Sequence, residues 1–145
     1  MGVQTSANIT NYPFVTSGES FVSEAEVVAQ DAGRATVLAK YTLMAQIPAT
    51  RKWVPFTDET LTNGQEFPLG IITAELSAAE IVAGDVSDVP ILTGGTFTFD
   101  ENQLVIENSK TLDTVISTLN LTVRQWLHTR GMCPEDSMSI DEFEN

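Results

Sequence analysis

The sequence is poor in the residue types from which most catalytic and metal sites are built. Its 145 residues include one cysteine, Cys133, and one histidine, His128. A single cysteine makes no intramolecular disulfide, and a zinc centre needs several Cys or His ligands, so both are excluded by count. A Ser-His-Asp or Cys-His arrangement has only His128 to be built around, and that residue falls inside a short capped helix rather than beside a nucleophile motif. Gly94-Gly95 is followed by neither the spacing nor the lysine of a phosphate-cradling loop. The acids near the C-terminus, Asp136, Asp141, Glu142 and Glu144, lack the calcium-loop pattern and its turn glycine. No catalytic, cofactor or metal site is therefore expected. No apolar run approaches the length of about 18 residues that spans a bilayer. The first residues lack a charged-then-apolar leader pattern, so the expectation is a reducing compartment.

Basic residues are also scarce. Seven Lys and Arg stand against twenty Asp and Glu, a formal charge of −13, and none of the seven falls in residues 1–33. Such a surface repels phosphate backbones and anionic lipid heads, which argues against nucleic acid and membranes as partners. A chain of this length forms one domain and buries roughly 70% of the surface its unfolded form exposes. Short matches to a myristoylation pattern (Met1 to Ser6) and to glycosylation sequons (Asn8-Ile9-Thr10, Asn120-Leu121-Thr122) occur by chance in many chains and are set aside.

What is present reads mostly as strand. Residues 1–20 show no sustained periodicity and are expected to form an arm, with Ile9, Tyr12, Phe14, Val15 and Phe21 as anchors for a partner. The alternative is an arm folded back on its own domain. Val27-Val28-Ala29 and Thr36 to Tyr41 look like short strands around a turn at Asp31-Ala32-Gly33. Trp53, Phe56 and Phe67 are core or interface aromatics, and Pro55 suggests an edge strand because it lacks a ladder donor. Asp58 to Glu66 is a polar loop with a turn at Asn63-Gly64. From Pro68 to Phe99, apolar runs Leu69 to Ala74 and Val89 to Leu92 flank an acidic connection, and Gly94-Gly95 breaks the chain before the alternating Thr96 to Phe99. Ser77 to Ala83 fits a helical turn or a loop equally well. Thr96 to Phe99 and Leu104 to Ile106 around four polar residues predict a hairpin.

Leu112, Val115, Ile116 and Leu119 have helical spacing and predict a helix facing the sheet. A second helix, about Val123 to Arg130, is marked by a Thr122–Gln125 capping box and by Gly131 in the left-handed stop position. Residues 133–145 form an acidic tail, in which Ile140 and Phe143 are docking candidates.

Taken in order, Val37-Leu38-Ala39-Lys40-Tyr41, Thr50-Arg51-Lys52-Trp53-Val54-Pro55, Pro68-Leu69-Gly70-Ile71-Ile72, Val89-Pro90-Ile91-Leu92 and Gly94-Gly95-Thr96-Phe97 resemble the head decoration proteins of lambda-like tailed bacteriophages. The likeness covers about residues 20–132. It departs from the shorter members in a long Tyr41 to Ala49 link and in the acidic tail. The resemblance implies an α+β, mostly β, β-clip-like domain (21–132) with short C-terminal helices, an extended capsid-binding arm (1–20) and an acidic tail (133–145). It further implies a homotrimer, made in the bacterial host cytoplasm, that binds the major capsid protein at threefold positions outside the head and stabilises the expanded shell. Two other readings stay open. One is a trimeric tail or fibre component. The other is a small β-rich enzyme whose site is assembled between subunits from Asp85, Asp88 or Asp100.

Overall fold

Three short runs, Leu43-Met44-Ala45, Ile71-Ile72 and Ile91-Leu92, are apolar at successive rather than alternate positions. The structure, a computed structural model that describes residues 13–136, supplies the reason: their strands are buried on both faces. Leu43, Ala45, Ile71 and Leu92 face one apolar cluster, whereas Met44, Ile72 and Ile91 face another. A strand covered on both sides loses the period-two signal that a half-exposed strand shows.

The described residues form an α+β body that is mostly β. Its strands are β1 (Val15–Val28), β2 (Leu43–Gln46), β3 (Trp53–Pro55), β4 (Pro68–Ile72), β5 (Val86–Asp100), β6 (Val115–Ile116), β7 (Leu121–Thr122) and β8 (Met132–Glu135); the helices are α1 (Ala78–Ala83) and α2 (Val123–Thr129). The main sheet runs β1-β3-β2-β4-β5-β8, and β1 also pairs with β5, so five strands close into a small barrel with β8 hung on its side. Each barrel strand sends a side chain into the interior cluster: Val28, Trp53, Met44, Ile72, and Val89 with Ile91. Ile81 of α1 and the Leu38–Leu76 bridge close one end. The outer face of β2, β4 and β5 is covered by the C-terminal third through Leu112, Ile116, Val123, Leu127 and Met132.

Local chemistry sets the helices. Ser77 caps α1 and Glu80 bonds back to it, a full capping box, which settles Ser77 to Ala83 as helix. Thr122 and Gln125 do the same for α2, and Gly131 leaves it with φ 83°. The Trp126 indole donates to the Pro68 carbonyl at 2.7 Å and packs on Phe67, tying α2 to the start of β4.

Several sequence expectations are corrected. Gly94-Gly95 is not a break but lies inside β5, next to a bulge opposite Phe21 and Val22. Thr96 to Phe99 forms no hairpin with Leu104 to Ile106; it pairs with β1 on one side and β8 on the other, while Val105 bridges Thr42. The segment Leu112 to Leu119 is not a helix. The Thr111 and Thr114 hydroxyls cap turns there, accepting from the Asp113 and Thr111 amides respectively, and β6 and β7 make a hairpin that leaves Val115 and Leu119 exposed. Hydroxyl groups that bond nearby backbone compete with helix, and β-branched residues disfavour it.

Thr36 to Tyr41 makes one bridge rather than a strand, and the link from Tyr41 to Ala49 contains β2. Pro55 lies in an inner strand, tolerated because β1 meets β3 only at Trp53. The body also reaches further than 21–132: β1 begins at Val15, and Cys133 to Glu135 belong to β8 rather than to a tail.

β1 and β5 coil tightly where Gly18 (φ 84°) and Gly95 (φ 102°) approach the opposite backbone. A Cβ on Gly95 would lie 2.2 Å from the Glu19 carbonyl oxygen, whereas one on Gly94 meets nothing within 4 Å. Gly95→Ala is therefore expected to destabilise the fold by about 1–3 kcal/mol, and Gly94→Ala to stay within about 0.5 kcal/mol of the parent. Urea unfolding of the two variants checks this contrast.

Candidate interaction surface

β1 is the one long strand without cover. Along its whole length it pairs with β5, but on its other side, among the described residues, only Val28 meets a strand partner, Trp53. The outward edge from Val15 to Val27 therefore presents unpaired donors and acceptors over about 43 Å at 3.3 Å per residue. Its faces are open as well, because every residue from Thr16 to Val22 is exposed. Phe21 is 62% exposed and Val22 39%, and Phe21 is the most exposed large apolar side chain among the described residues. The ladder itself is reinforced by hydroxyl contacts, with Thr98 Oγ1 lying 2.7 Å from Thr16 Oγ1 and 2.6 Å from Ser17 Oγ.

The strand is anchored at both ends. At its start Phe14 is buried, stacked on Tyr41 with ring centroids 4.1 Å apart and on Phe99 at 5.2 Å. At its far end Val28 enters the barrel interior.

Beside the strand runs a groove with two arms, of about 290 and 370 Å³, that share Glu26 and Gln46. One arm is lined by Phe21, Leu69 and Arg130, the other by Arg51 and Lys52 at the tip of the β2–β3 turn. Glu26 organises its centre: Oε1 accepts from the Trp53 indole at 2.7 Å and Oε2 from Ser23 Oγ at 2.6 Å. Those two donors, Ser23 first, hold the Glu26 carboxyl below its ordinary value of 4.5, with partial burial opposing them.

The predicted anchors are distributed unevenly on this surface. Phe21 lies on it. Phe14 belongs to the core and Val15 is half-buried at the start of β1, so an arm ending at residue 20 overlaps the folded body by some six residues. Ile9 and Tyr12 lie outside the described residues. Trp53 and Phe56 are buried, in the barrel interior and the outer cluster respectively, and Phe67 is half-buried against Trp126.

Asp85, Asp88 and Asp100 are not brought together: the first two lie at the start of β5 and the third at its end. Asp85 is engaged by Lys52 at 2.5 Å and by the Gln30 amide, which hold its carboxyl below the usual range. Asp100 is buried and caps its own turn through Asn102 N and the Gln103 amide. His128 is exposed near the end of α2. Among the described residues no three His, Cys, Asp or Glu side chains are placed to hold a metal ion, and no helix is long and apolar enough to cross a membrane.

The groove was not legible in advance. Its one sequence signal is the stretch VTSGESFV, where strand-forming residues occur with no apolar period, as expected of a strand with neither face buried. No protein-family model, curated protein or solved structure matches the chain.

Because the Glu26 carboxyl titrates lower in the folded state, its stabilisation is complete above its ordinary value of 4.5 and is lost as pH falls through the lower folded value. Glu26→Leu leaves the Trp53 donor unpaired and is expected to cost about 1–3 kcal/mol at pH 7. Denaturant unfolding at pH 7 and at about pH 3 should show the gap between parent and variant narrowing in acid. An equal gap at both values would mean that the carboxylate charge contributes nothing.

Proposed function

We propose that the protein is a structural virion component: a head decoration protein that sits as a homotrimer at threefold positions on the outside of a phage head. There it contacts the major capsid protein and stabilises the expanded shell. The observation that carries this reading is β1, a long strand with both faces exposed and one edge unpaired in an otherwise closed barrel. Natural proteins blunt such edges with charged residues, above all Lys, with Pro and with bulges. Residues 15–27 contain no Lys or Pro; their charges are the three glutamates Glu19, Glu24 and Glu26, and the strand is bulged against β5. An edge left open in this way suits strand addition, in which main-chain hydrogen bonds supply affinity and alternate side chains select the site.

The resemblance of the ordered strand motifs to lambda-like decoration proteins supports the same role, as does the mostly β body with its short helices. The net charge of −13 keeps such a protein from competing for packaged DNA. Three edges presented by one trimer turn the later contacts into intramolecular events, with avidity gains of about 10²–10⁴ where the geometry matches.

The test is binding of the full chain to assembled, expanded phage heads, with occupancy counted by electron microscopy. The parent should fill threefold positions. The double variant Phe21→Lys, Val22→Lys changes two exposed side chains, so its melting temperature should stay within about 2 °C of the parent. Its affinity for heads should fall by at least about tenfold. Undiminished occupancy by the variant would remove the edge from the mechanism, and binding to tails instead of heads would overturn the assignment.

A further inference from the structure

The end of β8 is delivered to a groove on the face away from the barrel interior. β8 runs parallel to β5, and their ladder continues to the pair Asp100 and Glu135. Just past it the Glu101 amide donates to the Glu135 carbonyl at 2.9 Å, and the Asn102 side-chain amide donates to Asp136 Oδ1 at 3.0 Å. Glu101 and Asn102, the two residues that hold this end, both line a groove of about 530 Å³. Asp136 therefore stands at the groove's edge.

The groove combines apolar side chains with cations. Leu104, Val105 and Leu112 supply the apolar part, and Val105 is 37% exposed. Lys110 and Arg124, two of the seven Lys and Arg in the chain, line it as well. Each has an ion pair at home, Lys110 with Glu59 and Arg124 with Glu101. Arg124 is not used up by its pair, because a guanidinium has five donors. Its close pairing with Glu101 is at 2.8 Å, Asp113 stands 3.9 Å away, and its side chain is 37% exposed.

The residues that follow Asp136, SMSIDEFEN at 137–145, match this lining in composition. Ile140 and Phe143 are interleaved with Asp141, Glu142 and Glu144, so apolar groups and carboxylates arrive together. At no more than about 3.6 Å per residue, Ile140 can lie up to about 14 Å from Asp136 and Phe143 up to about 25 Å, enough to cross the groove. Residues 1–12 join the body at the same end but fit less well. They contain no acid, and Pro13 lies against Gln103, which does not line the groove.

We infer that residues 137–145 dock in this groove of their own chain, with Ile140 and Phe143 against Val105 and Leu112 and the neighbouring acids toward Arg124 and Lys110. The inference is independent of the role proposed for β1. Because Asp136 is already held at the edge, docking is an intramolecular event at an effective concentration on the order of millimolar. Contacts too weak to join separate molecules suffice under that condition.

Nuclear Overhauser measurements on the full chain test this directly. The Phe143 ring protons should contact the methyl groups of Val105 and Leu112. No contact to those methyls, contacts from Ile9 or Tyr12 in its place, or contacts that appear only between differently labelled copies would each overturn the inference. Chymotrypsin cleavage after Phe143 gives a second readout, since cleavage follows the fraction of time that segment is undocked. Val105→Asp should raise the cleavage rate about tenfold, with a melting temperature within about 2 °C of the parent. Ile140→Ser alters no residue of the described body and should raise the rate to a similar extent. Cleavage of the parent as fast as both variants overturns the inference.

Discussion

The fold depends on β5. This one strand carries β1 along one edge and, on the other, β4 at Ile91 and Leu92 followed by β8 from Phe97 to Asp100. It closes the barrel, seats the C-terminal third and holds the exposed strand in place. Its inward side chains divide between two clusters, Val89 and Ile91 into the barrel, Leu92, Phe97 and Phe99 into the outer core. Ile91 and Leu92 point to opposite faces by the ordinary pleat, and the extra residue at Thr93 then brings Phe97 and Phe99 onto the same face as Leu92. Any substitution that straightens this stretch acts on both cores together.

Charge forms a second framework over the hydrophobic one. Arg34, whose side chain is 7% exposed, gives the Glu107 carboxylate two hydrogen bonds and donates to the Thr36 and Val37 carbonyls. It thereby ties the irregular 30s segment to the turn that follows Ile106. Lys110–Glu59 and Arg124–Glu101 likewise join pieces distant in sequence. With so few bases, each is placed where chain segments without strand partners must be fixed. The more exposed pairs, such as Arg124–Glu101, contribute little individually. Their value here is positional, since they set which loop lies against which.

The sequence was most legible where the signal is local and least where burial decides. The capping box and stop glycine of α2 depend only on neighbouring residues, and the helix is where they put it. The runs of β4 and the first half of β5 were readable as strands because turn residues bound them. By contrast, Leu112, Val115, Ile116 and Leu119 matched helical spacing by coincidence: two are buried and two are exposed, because a hairpin and not a helix distributes them. The supposed hairpin at residues 100–103 failed for a topological reason. Both edges of Phe97 to Phe99 are taken, by β1 and by β8, thirty-five residues further on. β2 has the look of a link in the sequence because two-sided burial erases its alternation. The open surface of β1 was invisible because a strand with no buried face has no pattern to show.

That surface also alters how strand addition would work here. An arm that is loose until bound must give up conformational entropy on docking, which weakens each contact. β1 is instead already extended from Val15, clamped at one end by the Phe14 stack and at the other by Val28 in the barrel. A partner strand would meet a template whose backbone is already ordered, so more of the main-chain hydrogen-bond energy would be kept as affinity. The cost is borne by the free protein, which holds an exposed edge in place through the β5 ladder and the two end anchors. Gly18 and Gly95 shape that ladder, because each lies so close to the opposite backbone that a side chain there would force the two strands apart.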